Sequence, residues 1–412
     1  MPRTVHVIGA GLAGLSAAVR LAQAGHAVIV HEAANQAGGR CRSYHDPALD
    51  MVIDNGNHLV LSGNRATMAY LDAIGARGCL HGPADATFTF LDLATAKRWT
   101  MRLNDGRFPW WIVDASRRVP DTRLLDYLQL RRLLWPRRTA IIGETIACKG
   151  PLYDRFLAPV LCAALNIAPP QGAAALAAAV LRETVMRGGA ACRPLVAEGL
   201  TAAFVEPALK AIERKGGTVR FGRRLRALRF EGDAATALDF GDETVAAKDE
   251  AVVLAVPPTV AAALVPGLAA PTAFCGIVNA HFAAEPTAAL PPMLGVVNGL
   301  IEWLFVFPGR LSVTISAANH LMDMERDDLA QRIWREVAQI AGLPAALPRW
   351  QIVRERRATF AATPQQDALR PGARTRWRNL VLAGDWTATG LPATIESAIR
   401  SGHRAAQLVA SS

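Results

Sequence analysis

The chain has 412 residues, of which 51% are apolar and 19% charged, a composition that excludes disorder and suits two units sharing an interface. A formal charge of +10 and a pI near 9.8 point to an anionic partner, although a bias towards Arg and Ala accounts for part of it. No RNA-binding motif or repeated stacking-aromatic pattern occurs, so a membrane surface suits the charge better than nucleic acid does. Cys41, Cys79, Cys148, Cys162, Cys192 and Cys275 lack metal-like spacing and suit free thiols in a reducing compartment; no metal site is expected. With three residues before the first strand, no leader is expected. No apolar run reaches the roughly 20 residues that span a bilayer. The richest stretch, 251–270, is broken by Pro257, Pro258 and Pro266. A soluble or peripheral protein is expected.

The first forty residues organise the rest. Thr4 to Ile8 reads as a buried strand, Gly9-Ala-Gly11-Leu-Ala-Gly14 as a turn into a helix, and Val28 to Glu32 as a second strand. This is the first βαβ unit of a dinucleotide-binding fold. Gly9 permits the tight turn, Gly11 lets a pyrophosphate approach the backbone, and Gly14 lets helix and strand pack closely. The helix N-terminus, at Leu12 and Ala13, offers free N–H groups to phosphate. Glu32, eighteen residues past Gly14, can accept hydrogen bonds from a ribose diol, with Ala33 beside it. Gly38-Gly39-Arg40 then returns over the ligand, the glycines allowing backbone approach and Arg40 neutralising a second phosphate.

Further along, Met51 to Asp54 reads as a strand entering a polar turn, Asn55-Gly-Asn57-His58, and Asn64 reads as the N-cap of a helix to Ile74. Segments at Thr87 and Arg98 alternate as a hairpin in a second, inserted sheet. An aromatic, basic stretch follows. Between Asp114 and Arg138 seven arginines stand against three aspartates. Trp110, Trp111 and Trp135 suit a lipid headgroup boundary, and Arg131, Arg132, Arg137 and Arg138 suit anionic lipid. A helix with a solvated Arg face and a packed Leu stripe explains the stretch equally well.

Helices are expected over 173–187, from Glu198 to Lys215, and over 326–341 with Leu329, Ile333, Val337 and Ile340 on one face. Between the last two, strands start at Gly217 and Leu225, and Ala251 to Val256 is a buried strand closed by Pro257-Pro258. Four alternating segments between Thr272 and Ser316, the third opening on Glu302, suggest the main sheet of the inserted unit, and Trp350 to Arg357 adds a strand. At the C-terminus Asn379 to Ala383 is a strand, Gly384-Asp385 a turn, and Pro392 to Gly402 a helix with proline in its first turn.

GxGxxG, Glu32, Gly38-Gly39-Arg40 and the closing strand–Gly384-Asp385–helix together resemble the flavoprotein amine oxidase and phytoene desaturase superfamily. Three stretches (Asp54 to Asn64, Ala358 to Gln365, and Ala383 to Ala398) look like its squalene-associated members, the hydroxysqualene dehydroxylases. The resemblance implies an α/β fold: a Rossmann-type FAD-binding domain with an inserted α+β substrate domain and a helical cap. Its implied boundaries are 1–80, 195–265 and 345–412 for FAD, and 81–194 and 266–344 for substrate.

Carried over residue by residue, FAD contacts fall on Gly9, Gly11, Leu12, Ala13, Gly14, Glu32, Ala33, Gly39, Arg40, Asn57, His58, Leu225, Gly384, Asp385, Thr394 and Ile395. Leu225 would present its backbone to the adenine, Asp385 would bond the ribityl chain, and the N–H groups of 394–396 would face the flavin N1–O2 edge. The implied reaction is reductive removal of an allylic hydroxyl from an apolar C30 isoprenoid, with an unnamed electron donor. His58 and Glu302 are the candidate acids; a histidine satisfied by local backbone bonds is the plainer reading of His58. The implied location is cytoplasmic, peripheral on the inner face of the bacterial plasma membrane. Two alternatives stay open: a desaturase or amine oxidase, for which Trp386 could form one wall of an amine cage, and a non-catalytic FAD-carrying subunit.

Overall fold

The computed structural model describes residues 3–411. Five parallel strands form the smaller sheet, in the order Thr218–Arg220, Ala27–His31, Thr4–Ile8, Ala251–Leu254 and Leu380–Leu382. These strands read as unbroken apolar runs because both faces are covered, and all four residues of Ala251–Leu254 are buried. This is the expected Rossmann-type sheet. Its strands come from the two ends and the middle of the chain.

The helices Leu12–Gln23 and Ile395–Ala410 cross on one face of this sheet. Their contact is close because Gly402 lacks a side chain. A Cβ there would lie 2.1 Å from Ser16 Oγ and 2.2 Å from the Ala13 carbonyl oxygen. Ser16 donates across the crossing to the Ile399 carbonyl at 3.3 Å.

Seven strands form the larger sheet, in the order Trp350–Phe360, Phe274–Phe282, Arg310–Ile315, Trp303–Phe307, Met293–Val297, Thr87–Asp92 and Arg98–Arg102. All neighbours are antiparallel except Met293–Val297 with Thr87–Asp92. The helix Arg326–Ala341 buries Leu329, Ile333, Trp334 and Val337, and Trp334 meets Phe282 of the sheet at 5.1 Å between ring centroids. Residues 350–360 therefore belong to the larger sheet, whereas the resemblance places everything after 345 with the cofactor domain. The hydrophobic alternation of this strand was legible; its pairing with Phe274–Phe282 depends on distant sequence.

A second difference concerns the helix Arg65–Ile74. Asn64 does not cap it with its side chain, which instead accepts the Leu61 N–H at 2.7 Å. The buried Glu396 carboxylate caps it from the C-terminal helix, accepting the N–H groups of Ala66 at 3.0 Å and Thr67 at 2.9 Å. One apolar cluster, from Phe90 and Met101 through Leu161 and Leu176 to Leu254 and Trp386, runs beneath both sheets.

Gly402→Ala should destabilise the fold by about 1–3 kcal/mol in denaturant titration, because the added methyl must displace backbone. Gly372→Ala is the control: its methyl meets no atom within 4 Å, and it should leave the midpoint unchanged or slightly raised.

Candidate active site

The glycine turn is closed on two sides and open on the third. Gly9 has φ +104°, and a Cβ there would lie 2.5 Å from the Ala255 carbonyl oxygen. A Cβ on Gly14 would lie 1.9 Å from the Gly9 carbonyl oxygen, whereas one on Gly11 would meet nothing within 4 Å. Open space thus faces the helix N-terminus at Leu12 and Ala13, where the first N–H groups have no acceptor within the helix. Glu32 holds the turn: its carboxylate accepts the Ala10 N–H at 2.7 Å and the Ala34 N–H at 2.8 Å. Ala33 between them is exposed. The Gly38-Gly39 loop returns over this turn, Gly38 donating its N–H to the Ala10 carbonyl at 2.8 Å. Gly222 and Arg223 tie the next segment to Ala34 and Glu32. Leu225 follows, with a buried side chain and with no hydrogen bond to its N–H or C=O among the described residues. Free backbone groups here, two residues past the Arg223 N–H that Glu32 accepts, fit a nucleobase edge.

At the other end of the cleft, Arg40 grips both oxygens of Asp385 at 2.8 and 2.7 Å and also donates to the Ala358 carbonyl. Arg40 is half-exposed and Asp385 is buried. Gly384 donates its N–H to Ser401 Oγ at 2.8 Å, fixing the turn that carries Asp385. Arg370, which the sequence reading missed, lies wholly beneath this loop. Its guanidinium donates to the Thr387 carbonyl at 3.0 and 2.6 Å and the Asp385 carbonyl at 3.2 Å, and pairs with Asp367 at 2.8 Å. Thr394 caps the final helix by accepting the Ser397 N–H at 3.1 Å, leaving the first-turn N–H groups of Ile395 and Glu396 without helical acceptors. These groups fit the anionic edge of a flavin.

On the substrate side the candidates divide. His58 lies near Arg40; burial, and then that positive charge, lower its imidazole to about 4, so it is uncharged at neutral pH. The Asn57 side chain turns away from the cofactor loop, donating to Thr314 Oγ1 at 3.1 Å in the larger sheet. Glu302 precedes the strand Trp303–Phe307. Burial pushes its carboxyl above the usual glutamate range. One oxygen accepts the Ser316 N–H at 2.7 Å and the other accepts the Cys162 S–H at 3.2 Å. Ala358, which Arg40 touches, lies towards the same end of the sheet, on the third strand over from Glu302.

Asn166 pins the overlying helix Ala158–Leu165 to this end of the sheet. Its Nδ2 donates to Thr359 Oγ1 at 2.9 Å and the Cys275 carbonyl at 3.2 Å, and its Oδ1 accepts the Ala317 N–H at 2.7 Å. Asn166 holds a left-handed conformation, φ +52°, just past the helix, and this C-cap is the one local signal that could have singled it out.

Two aromatic expectations change. Trp386 is 2% exposed and donates Nε1–H to the Val256 carbonyl at 2.9 Å, so it packs in the core and forms no cage wall. Trp111 is also 2% exposed, edge-on to Tyr127 and Phe156, and anchors its segment from within. Trp110 and Trp135 remain on the surface at 62% and 69% exposure. Among the described residues no group of three or more His, Cys, Asp or Glu could hold a metal, and no helix is long and apolar enough to cross a membrane.

Residues 12–410 match the family model of flavin containing amine oxidoreductases. In structure, the chain resembles putrescine oxidase bound to putrescine (TM-score 0.71, 17% identity, all of both chains covered). It also resembles an oxidoreductase from Methanosarcina mazei (TM-score 0.71, 16% identity, 98% of this chain and 100% of that one). These distant likenesses show the fold. Curated relatives are much nearer. The hydroxysqualene dehydroxylase of Rhodopseudomonas palustris is 58% identical, covering 99% of both chains. That of Sinorhizobium fredii is 55% identical over 100% of this chain and 99% of its own, and that of Zymomonas mobilis 46% over 98% and 99%. Near-full-length identity at this level, with the family match over residues 12–410, places the protein in the hydroxysqualene dehydroxylase family of flavin-dependent oxidoreductases.

Proposed function

We propose that the protein is an FAD-dependent oxidoreductase that removes the hydroxyl of hydroxysqualene reductively, giving squalene and water in hopanoid and isoprenoid biosynthesis. The observation that carries this reading is the near-full-length identity to dehydroxylases of that name. FAD, rather than a shorter flavin, is supported by the two separate groups of residues that the ends of the chain bring together. The glycine turn, Glu32 and the Leu225 backbone suit an adenosine diphosphate, with Arg40 at its second phosphate; Asp385 and the 395–396 N–H groups suit the ribityl chain and ring. The smaller sheet then holds the cofactor, and the larger sheet with its overlying helices holds the substrate.

When bound and reduced, FAD supplies the hydride that the allylic carbon receives. Hydroxide is a poor leaving group, so a protein acid protonates the oxygen as its bond to carbon breaks, and the oxygen leaves as water. We assign that acid to Glu302. Its raised carboxyl keeps the proton at neutral pH better than an exposed glutamate does, and the Ser316 N–H and Cys162 S–H receive the charge left behind. His58, uncharged beside Arg40, is not the proton source in this reading. Leu161, Leu165, Trp303, Phe305 and Phe360 belong to one buried apolar cluster around this point, which keeps a developing allylic cation from bulk water.

The substrate is a hydrocarbon that dissolves in lipid, and one surface suits a bilayer. Phe108, Trp110, Leu125, Leu128 and Trp135 are each more than 60% exposed within the basic stretch. Arg131, Arg132, Arg137 and Arg138 are exposed beside them. Burying one such side chain gains about 1.5–3 kcal/mol, and each arginine near an anionic surface about 1 kcal/mol. The six free cysteines support a reducing compartment, hence the cytoplasmic face of the plasma membrane.

Three measurements check these assignments. Anaerobic, photoreduced protein mixed with hydroxysqualene in detergent should reoxidise its flavin and yield one squalene per flavin; a flavin that stays reduced, with no squalene, removes the reaction. Glu302→Gln should keep its flavin and lose about 10²–10⁴-fold in single-turnover rate; an unchanged rate removes Glu302 from the role. Replacing Trp110, Leu125 and Trp135 together by serine should cut sedimentation with anionic liposomes at least tenfold. Equal partitioning of the variant and the parent protein would sink the membrane face.

A further inference from the structure

Glu302 sits between two donors of unequal kind. The Ser316 N–H is short, at 2.7 Å, and fixed by the backbone just past the strand Arg310–Ile315. The Cys162 S–H, at 3.2 Å, is a weak donor that reaches down from the helix Ala158–Leu165. In the neutral acid the oxygen that accepts the short N–H bond is the carbonyl-like one, so the transferable proton belongs on the oxygen facing sulfur. Once that proton leaves, both oxygens of the carboxylate accept, and the S–H bond strengthens because its acceptor is now charged. Sulfur is therefore placed to favour the product side of the proton transfer.

We propose that Cys162 is a positioning residue for the dehydroxylation, its S–H holding the proton-bearing oxygen of Glu302 and stabilising the carboxylate that forms there. The proposal rests on Glu302 being the proton donor. Burial and the neighbouring Glu302 carboxyl push the Cys162 thiol far above its ordinary value, so it stays protonated and acts as donor, not nucleophile. Tyr153 and Cys275 also face this thiol, and both are themselves raised by burial, so they add no charge near neutral pH. His320, on the turn Ala318–Leu321, also lowers Glu302 through its charge.

The acid form of Glu302 is the working form, so the single-turnover rate falls as pH rises through its ionisation. Removing a donor to the carboxylate moves that fall to higher pH; a stronger donor moves it to lower pH. The experiment follows flavin reoxidation by hydroxysqualene across pH in reduced holoenzyme, for the parent protein, Cys162→Ala, Cys162→Ser and Glu302→Gln. The expected shifts are roughly 0.5–1 pH unit, upward for Cys162→Ala and downward for Cys162→Ser. Flavin content and unfolding midpoint report folding of each variant, and the near-isosteric Cys162→Ser carries the test if Cys162→Ala unfolds. A limb that stays put, or that moves the same way in both variants, makes Cys162 a packing residue and overturns the proposal. A Glu302→Gln protein that keeps the parent limb and rate assigns the limb to another group, and then both the Glu302 reading and this one fall.

Discussion

The cofactor cleft depends on closing the chain on itself, and the ion pair of Arg40 with Asp385 is where the closure is made. The two residues are 345 positions apart. One is carried by a glycine loop that leans on the first turn of the sheet, the other by a turn that follows the last strand. Neither loop would hold its place alone. Arg370 clamps the second from beneath through two of its carbonyls, and the crossing of the first and last helices at Gly402 sets the distance between them. A buried carboxylate facing a half-exposed guanidinium is costly when unpaired. The pair therefore works as a registration device for two distant segments, and everything inserted between them hangs from that frame.

Much of this frame was legible because it is written in local pattern. The glycine spacing, the apolar strands and the acid at the end of the second strand each follow from backbone geometry at one place in the chain. Gly9 needs positive φ and Gly14 needs close approach, so their spacing is readable without knowing the partner. The closing helix was legible, but it begins at Ile395 behind the N-cap Thr394, so Pro392 precedes it rather than lying in its first turn. Residues whose roles are set by partners far away in sequence were not readable. Glu396 lies in an amphipathic helix that explains it fully until its carboxylate is seen capping another helix. Arg370 and Asn166 read as ordinary polar residues, and their work is to satisfy backbone groups of other loops. Trp111 and Trp110 are adjacent and alike in composition. One is buried and the other exposed, a difference set by packing against Tyr127 and Phe156 rather than by sequence.

The same separation governs the chemistry. Both candidate acids are partly buried, and burial moves them in opposite senses. Burial, and then the nearby Arg40, lower the imidazole, so it is uncharged at neutral pH; burial raises the carboxyl, which favours its protonated form. A reaction that must protonate a leaving hydroxyl in apolar surroundings is better served by the second. Glu302 stands at the end of the larger sheet that meets the cofactor loop, beneath a helix pinned there by Asn166. The fold thus places a carboxyl raised by burial beside Trp303, a member of the apolar cluster beneath both sheets.

The central claim is that hydride passes directly from bound flavin to the carbon that loses its hydroxyl. The most direct test is a single anaerobic turnover of reduced protein in deuterium oxide, where the exchangeable flavin N5 position carries deuterium. Mass spectrometry of the extracted product should find squalene with one deuterium, at the carbon that bore the hydroxyl, and an equal amount of oxidised flavin. Squalene without that deuterium, or a flavin left reduced beside product, would contradict the account.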